Sequence, residues 1–396
     1  MPEKHSFIGP SAAEIWFHCP PSMRTFKKEK QEEENNPTAD YKAEGTCAHA
    51  VGEYFAKKIF LHKGGEYKEE IEKIRAEYPE VFSKEMLDYA DDYTAYLQNI
   101  YSGYDRPRHM MVEQFLPIFG NTFGTTDCAV VGIKAGVGVS LEVVDFKYGK
   151  GVKVDAKNNL QMLLYGYGVY RRYRRLFNLQ DETPLTLHIF QPRLKNISQW
   201  DIKVGDMLKK IDELRKQAEL AEAGLGNFSP GHWCRFCPGA DSCKHRANKI
   251  KASLTENLSE DKNKLQNEDY AKLLDFFKEM NVESWIKQIK AHSLNCILSG
   301  EDVPGWKAVE GRSKTTITDF KTLEKFIVDN KMGESKDLYS PGGITLIKKA
   351  IGAKNFKKVP DNCFTKTPGR PTLAEASDPR KDYTSSDFAK NEFTKI

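Results

Sequence analysis

A series of β-rich runs in the middle of the chain most constrains its fold. These runs cover residues 110–119, 125–133 and 137–146, and short glycine-containing segments separate them. Such spacing predicts an antiparallel three-stranded meander. An amphipathic helix is predicted at 156–177, and a fourth strand follows at 184–191. The pattern therefore predicts an α/β fold with a mixed central β-sheet flanked by helices.

Helices are predicted on both sides of this strand-rich region. Ser11 and Glu14 have the spacing of a capping box, which predicts a short helix that ends at Cys19. The other predicted helices share an apolar repeat near 3.6 residues and cover 40–61, 84–101, 201–223 and most of 264–298. The helices and strands up to this point can bury one large core.

Composition changes toward the carboxyl end, where proline and glycine become frequent. We therefore expect a main domain at 1–260, a helical connector at 261–302 and a small α/β appendage at 303–396. No fixed-period repeat is visible in the sequence, which argues against a solenoid.

The overall charge leaves the class of partner open. The 396 residues include 60 Lys and Arg against 56 Asp and Glu, a formal net charge of +4. This total neither requires nor excludes a polyanionic partner, so local clustering must decide. No uncharged apolar stretch approaches the roughly 18 residues of a membrane span, and the first residues lack the apolar core of a secretion signal. We expect a cytoplasmic protein without a membrane partner.

Three of the 8 cysteines are closely grouped. Cys234, Cys237 and Cys243 have the spacing C-x₂-C-x₅-C, which in a reducing compartment indicates metal or cluster ligation rather than disulfides. A four-coordinate site needs one more ligand, and Cys19 is the clearest candidate. A structural zinc ion, with His232 or His245 in place of the fourth cysteine, stays open at this point.

The sharpest local signal lies at the end of the third β-rich run. Asp145 and Lys147 are two residues apart, so a strand directs both side chains to one face, whereas Glu142 faces the other way. A short hairpin can bring Asp127 of the preceding run beside Asp145. Two carboxylates and a lysine suit Mg²⁺ or Mn²⁺ and phosphodiester hydrolysis.

These residues occur within an ordered series of motifs. Upstream stand Glu44-Gly45-Thr46 with His49, then Glu113 in a strand, then Gly124-Thr125-Thr126-Asp127; Asp145-Phe146-Lys147 and the pair Gln161 and Tyr165 follow. In this order the chain resembles the RecB-like branch of the PD-(D/E)XK nucleases, more closely a phage-encoded family of that branch. The resemblance covers residues 6–246 and implies a restriction-endonuclease-like core.

The resemblance also implies a role for each residue of the series. His49, Asp127 and Asp145 would bind the metal, and Lys147 would be the catalytic lysine. Gln161 and Tyr165 would form the helix motif that contacts the site and the nucleic acid. Glu113 is expected at most as an outer ligand.

One early cysteine followed by three late ones resembles the iron-sulfur nucleases, including AddB. In those proteins a 4Fe-4S cluster fastens the two ends of the nuclease domain, which would make Cys19, Cys234, Cys237 and Cys243 its ligands. We prefer this cluster to the zinc alternative.

The expected function is that of a metal-dependent DNA nuclease, an exonuclease of phage recombination or DNA processing, in a bacterium or a phage-infected host. Its partners would be single-stranded DNA or duplex ends and a phage recombination or replication protein. The alternative is a DNA-binding module or nuclease-complex subunit that keeps the fold and the cluster but does not cleave. Arginines at 171–175 and lysines at 147–157 could follow a phosphate backbone in either case.

Overall fold

The structure is a computed structural model. It describes residues 6–27, 40–256, 265–311, 314–332, 353–356, 358–360, 363–367, 371–375 and 379–383. The chain forms two compact units, Met1–Val282 and Glu283–Ile396. The metal ligands, the catalytic residues and the cluster cysteines predicted from the sequence all lie in the first unit.

A five-stranded sheet forms the centre of the first unit. Its strands are β1 (Tyr104–Phe119), β2 (Thr122–Lys134), β3 (Gly138–Phe146), β4 (Pro184–Gln191) and β5 (Asn196–Lys203). They lie side by side in chain order. β3 and β4 are parallel, and every other neighbouring pair is antiparallel. The predicted fold class, a mixed sheet flanked by helices, is confirmed.

The helices of the first unit cover both faces of this sheet. They are α1 (Ala13–His18), α2 (Ser22–Thr25), α3 (Asp40–Leu61), α4 (Tyr67–Glu77), α5 (Lys84–Ser102), α6 (Leu160–Tyr173), α7 (Val204–Ala223), α8 (Lys244–Glu256) and α9 (Asn267–Glu279). α6 is the crossover that two parallel strands require. Its first turn is capped by Asn159, whose side chain accepts a hydrogen bond from the backbone N–H of Met162.

Two apolar layers enclose the sheet. On one face α1, α6 and α7 pack on the strands through buried side chains such as Trp16, Leu163 and Ile211. On the other face α3 and α5 pack through Val51 and Leu97. Because the strands are covered on both faces, nearly every residue of β3 and β4 is buried, including polar ones such as Glu142 and His188.

Some predicted elements differ from the observed ones. Residues 201–203 were predicted as helix but belong to β5, where Asp201 accepts a hydrogen bond from Thr186 of β4. Pairing along this edge of the sheet overrides the helical preference of the segment. α4 was not predicted, because its strongly charged sequence buries only Ile71.

The predicted helix at 264–298 is two helices. α9 ends before Met280, and α10 (Val282–Leu298) begins after Asn281. Asn281 has a φ of 49°, a left-handed conformation that interrupts a right-handed helix.

The second unit contains two small antiparallel ribbons. β6 (Trp306–Glu310) pairs with β9 (Pro371–Glu375), and β7 (Lys314–Ile317) pairs with β8 (Phe364–Thr367). α11 (Phe320–Asp329) buries Leu323 and Ile327, and α12 (Ala353–Phe356) is short. Much of the predicted appendage at 303–396, including 333–352 and 384–396, lies outside the described residues. No described helix has both the length and the apolar character that crossing a membrane requires.

Candidate metal centre and thiol cluster

Strand pairing aligns three carboxylates across the sheet. The register of β1 with β2 pairs Val112 with Cys128 and Gln114 with Thr126, which puts Glu113 level with Asp127. The register of β2 with β3, continued by one residue, places Asp127 opposite Asp145. Acidic side chains directly opposite one another in adjacent strands repel unless a cation lies between them. The row of Glu113, Asp127 and Asp145 is therefore costly without added positive charge.

Helix α3 brings an imidazole to this row. His49 Nδ1 lies 3.3 Å from Asp127 Oδ1. Ligand atoms of His49, Glu113 and Asp127 all lie within 4.8 Å of one another. Within the described ranges, no other set of three or more histidine, cysteine or acidic residues meets this criterion. One nitrogen and two carboxylate oxygens therefore point to one small volume.

Glu113 and Asp127 are held in place in two different ways. Glu113 has a φ of 48° in the middle of β1, a conformation that non-glycine residues seldom adopt. Asp127 is fixed differently, because its Oδ2 accepts a 2.6 Å hydrogen bond from the backbone N–H of Phe146. Backbone strain of this kind persists where the surrounding structure imposes it, which is common at ligand sites.

The third carboxylate belongs to a compact set of polar groups with Lys147. Lys147 Nζ lies 3.1 Å from Asp145 Oδ2 and donates a 3.0 Å hydrogen bond to Gln161 Oε1. Gln161 Nε2 in turn donates to Asp145 Oδ1 at 3.2 Å. It also lies 3.4 Å from the hydroxyl of Tyr165, one turn later on α6. The carboxylate, ammonium and amide groups thus hold one another in place.

The carboxyl groups of the row do not ionise alike. Burial, with the nearby Asp127 charge, raises the pKa of Glu113 to about 8. Burial also raises the pKa of Asp145, although Lys147 opposes the shift. Burial opposes ionisation of Asp127 too, but His49 and the Phe146 N–H outweigh it and lower the pKa of Asp127. Asp127 is therefore the ionised anchor of the group.

The neighbouring carboxylates raise the pKa values of both basic groups, His49 and Lys147. Burial disfavours the charged form of His49, yet Asp127 outweighs that effect and raises the pKa of His49 to about 9. Burial also disfavours the charge on Lys147, but Asp145 and Asp127 together raise the pKa of Lys147. Without a metal ion, His49 therefore carries a proton near neutral pH that it must release to become a ligand.

The structure brings the sequence-predicted residues together with one change of partner. Asp127 and Asp145 are neighbours, as the hairpin argument predicted. The compact ligand set of His49 and Asp127 is completed by Glu113, whereas Asp145 is engaged by Lys147 and Gln161. Glu113 was assigned at most an outer role from sequence. No local sequence signal identifies that role, because the alternation of side chains along β1 is broken at this residue.

The four cysteines of the predicted cluster line one small cavity. Cys19 ends α1, while Cys234, Cys237 and Cys243 come from the segment before α8. Burial raises the pKa of Cys19, Cys234 and Cys237, but each sulfur also receives a backbone N–H that favours the thiolate. One of these bonds joins Gly231 N to Cys234 Sγ at 3.4 Å.

Tight packing and a buried guanidinium group surround the thiols. A side chain at Gly239 would collide with Phe26, whose ring lies against that backbone. Arg246 is fully buried beside the thiols and donates to the carbonyls of Ala240 at 3.2 Å and Met280 at 2.8 Å. A buried guanidinium next to four thiols can offset the negative charge of a thiolate cluster.

The alternative histidine ligands lie elsewhere. The ring of His245 stacks on Phe228 with centroids 4.2 Å apart. The ring of His232 packs edge-on against Trp233 at 4.9 Å. Neither histidine lines the cavity of the thiols, so the fourth donor that the fold supplies there is Cys19.

Two comparisons relate the chain to known proteins. The solved crystal structure of SSO0001 is similar to 49% of this chain and to 94% of that chain, with 14% sequence identity and a TM-score of 0.24. A likeness of that size carries no argument about fold or function. The model of the family described as "Protein of unknown function (DUF2800)" matches residues 5–381. The chain belongs to the DUF2800 family.

Proposed function

We propose that the protein is a Mg²⁺- or Mn²⁺-dependent DNA nuclease of the RecB-like PD-(D/E)XK type. The observation that carries this proposal is the row of three carboxylates, with His49 beside Glu113 and Asp127, and Lys147 beside Asp145. The same residues stand in the motif order that resembles those nucleases. The context we propose is phage recombination or DNA processing in the cytoplasm.

The ligand set suits a small hard cation. Two carboxylates and one imidazole leave room for water and phosphate oxygen, the ligands that Mg²⁺ and Mn²⁺ keep in phosphate chemistry. An ion bound there would acidify a coordinated water molecule and offset charge that develops on the phosphate. The charges also balance, because three carboxylates, one ammonium and one divalent ion sum to zero once His49 is neutral.

Lys147 is positioned to act on the phosphate group. Asp145 and Gln161 hold its ammonium group, and both neighbouring carboxylates keep that group protonated. A fixed cation beside the scissile phosphate stabilises charge without reorganising during the reaction. Tyr165 supports Gln161 from the next turn of α6 and fixes the direction of its amide.

A second proposal concerns the thiols, which we assign to a 4Fe-4S cluster of structural role. The sulfurs of Cys19, Cys234 and Cys237 accept backbone N–H bonds, as the sulfurs of such clusters do. The four thiols line one cavity, and their order in the chain, one early cysteine before three late ones, is the order that resembles the iron-sulfur nucleases.

The nuclease proposal is tested by digestion of end-labelled and circular DNA with Mg²⁺ or Mn²⁺. We expect cleavage by the native protein and a loss of about 10²-fold to 10³-fold in turnover for Lys147→Gln. Asp145→Asn should have an effect of the same order, because it releases Lys147. Asp92→Asn, on the exposed side of α5, is the matched control and should retain full activity.

Two outcomes would count against nuclease action. Cleavage that survives both substitutions would remove Asp145 and Lys147 from the mechanism. Tight, salt-sensitive DNA binding without cleavage in any divalent metal would favour the DNA-binding module instead.

The cluster proposal is tested on protein purified without oxygen. We expect a brown protein that contains iron and acid-labile sulfide, and Cys19→Ser should lose both. Cys296→Ser, outside the thiol cavity, is the control and should keep them. A colourless protein that contains zinc would contradict the assignment.

A further inference from the structure

An arginine-lined cavity lies away from the carboxylates. Its volume is about 520 Å³. Four arginines come from the end of α6 and the turn after it, and a fifth comes from α7; they are Arg171, Arg172, Arg174, Arg175 and Arg215. We name this feature the arginine pocket.

Aromatic side chains form part of the pocket wall and hold its arginines. Arg215 donates a 3.0 Å hydrogen bond to the hydroxyl of Tyr167, and its guanidinium lies 5.7 Å from the ring centre of Phe119. Arg171 donates to the carbonyl of Ile118 and lies over Tyr167. The pocket is therefore built from β1, α6 and α7 together.

The arginines of the pocket have few acidic partners among the described residues. Arg215 has a carboxylate partner, Asp212, at 3.8 Å. The four arginines at 171–175 form no ion pair with any residue that the structure describes. The helix dipole favours cations at the end of α6, but it does not account for a fifth arginine from another helix. Such a concentration of unpaired guanidinium groups favours a polyanionic ligand.

The pocket and the candidate metal centre share two elements, α6 and β1. On α6, Gln161 stands beside Asp145, and Arg171 follows ten residues later, a rise of about 15 Å. On β1, Glu113 belongs to the metal centre and Phe119 to the pocket, a span of about 20 Å. Two neighbouring elements thus run from one site to the other.

We propose that the arginine pocket binds phosphate groups of a nucleic-acid strand whose scissile bond lies at the metal centre. This inference rests on the proposed nuclease function for the identity of the ligand. At a rise of about 3.4 Å per nucleotide in one strand of a duplex, 15 to 20 Å corresponds to about five nucleotides. The pocket holds the strand in register, while the chemistry takes place at the carboxylate row.

The test measures DNA binding in EDTA, so that it does not depend on cleavage. The variant Arg174→Gln with Arg175→Gln removes two exposed charges without removing a packed side chain. The control, Lys272→Gln with Lys278→Gln, removes two exposed charges from α9. Fluorescence anisotropy compares single-stranded oligonucleotides of about 4 and about 20 nucleotides between about 50 and about 200 mM salt.

For the longer strand, we expect the arginine variant to bind about tenfold more weakly than the native protein. Its log–log salt slope should be shallower by about 1.4, since each lost phosphate contact contributes about 0.7. The oligonucleotide of about 4 nucleotides reaches only one of the two sites and should bind the native protein more weakly than the longer strand does. The control variant should match the native protein on both lengths.

Equal affinities and slopes for the arginine variant and the control would overturn the inference. So would stabilisation of the native protein by inorganic pyrophosphate with no arginine dependence of DNA binding, since the ligand would then be a small phosphate. If the variant melts at a lower temperature than the native protein, Arg172→Gln with Arg175→Gln replaces it. If the protein cleaves DNA but its binding does not depend on the arginines, this inference is contradicted and the nuclease proposal stands. If binding depends on the arginines but no cleavage occurs, the nuclease proposal is contradicted and the phosphate-binding pocket stands.

Discussion

Two clusters of buried charge occupy the same central sheet, and they differ in how their charge is balanced. The first surrounds Glu142 of β3. His188 Nε2 lies 2.8 Å from Glu142 Oε2, and Lys134 Nζ donates to Glu142 Oε1 at 2.6 Å. Tyr104 adds a 3.1 Å hydrogen bond, and Tyr96 of α5 contacts the other ring nitrogen of His188 at 2.8 Å. Glu142 thus has three direct partners, and Tyr96 holds one of them, His188, from its other side.

The second cluster is the carboxylate row with His49 and Lys147. Three carboxyl groups share two basic groups, and Glu113 forms no ion pair with a described residue. The difference is visible in ionisation. Burial opposes ionisation of Glu142, but His188 and Lys134 outweigh it and lower the pKa of Glu142. The pKa of Glu113 is instead raised to about 8, because burial is not compensated.

The comparison separates a structural network from a site that needs an external cation. The chain supplies every partner of Glu142, so this network stabilises the fold by itself. The carboxylate row has an excess of acid, and either protonation of Glu113 or a bound cation relieves it. Substitutions should therefore change stability in opposite directions in the two clusters.

The largest expected effect comes from removing the compensated carboxylate. Glu142→Ala leaves His188 and Lys134 without their buried partner, and should lower the free energy of unfolding by about 3 to 5 kcal/mol. Urea denaturation followed by circular dichroism measures this change. A loss below about 1 kcal/mol, the range of exposed ion pairs, would show that Glu142 is not a structural anchor.

The pH dependence of stability should come next. The folded-state pKa is raised from 6.5 to about 9 for His49 and from 4.5 to about 8 for Glu113. Between each pair of values the folded state binds more protons than the unfolded state, so stability falls as pH rises. The contribution of His49 is complete below pH 6.5 and is lost as pH rises through about 9.

A bound metal ion should stabilise the protein more at high pH than at low pH. We expect the melting temperature of the metal-free protein to fall from about pH 6 to about pH 9, and the rise caused by Mn²⁺ to be larger at the higher pH, because binding displaces protons. Thermal melts with EDTA or with Mn²⁺ give both curves. Identical shifts by Mn²⁺ at the two pH values would contradict proton-linked binding.

The smallest expected effect has the opposite sign to that of Glu142→Ala. Glu113→Gln removes a partly buried acid that forms no ion pair within the described part of the chain, and should raise the free energy of unfolding of the metal-free protein by about 1 kcal/mol at pH 8. The exposed Glu219→Gln is the control and should change little. Destabilisation of the metal-free protein by Glu113→Gln would mean that the row is already compensated.

Local rules were enough to find much of the site. The two-residue repeat of a strand places Asp145 and Lys147 together and separates Glu142, and a short hairpin brings Asp127 alongside. Each of these inferences needs only neighbouring residues in sequence. Cys19 was the candidate fourth ligand because a four-coordinate site needs one more donor than the late cysteines supply, and a resemblance to known proteins supported that assignment. The fold places these thiols around one cavity.

Other features depend on tertiary structure and could not be predicted. Glu113 leaves the extended conformation, so strict alternation along β1 does not give its direction. β5 forms because β4 has an edge with which it can pair, and the sequence of β5 alone does not predict a strand. Arg215 is distant in sequence from the other arginines, and only the packing of α7 against α6 brings it to them.

The central claim is that the carboxylate row binds a divalent cation, and direct titration with Mn²⁺ tests it. Electron paramagnetic resonance of free Mn²⁺ gives the number of bound ions and their affinity. We predict one high-affinity ion per native chain, and at least about tenfold weaker binding for Asp127→Asn, which removes the ionised anchor. Equal Mn²⁺ affinity in the native protein and Asp127→Asn, or no binding to the native chain at pH 8, would contradict the account.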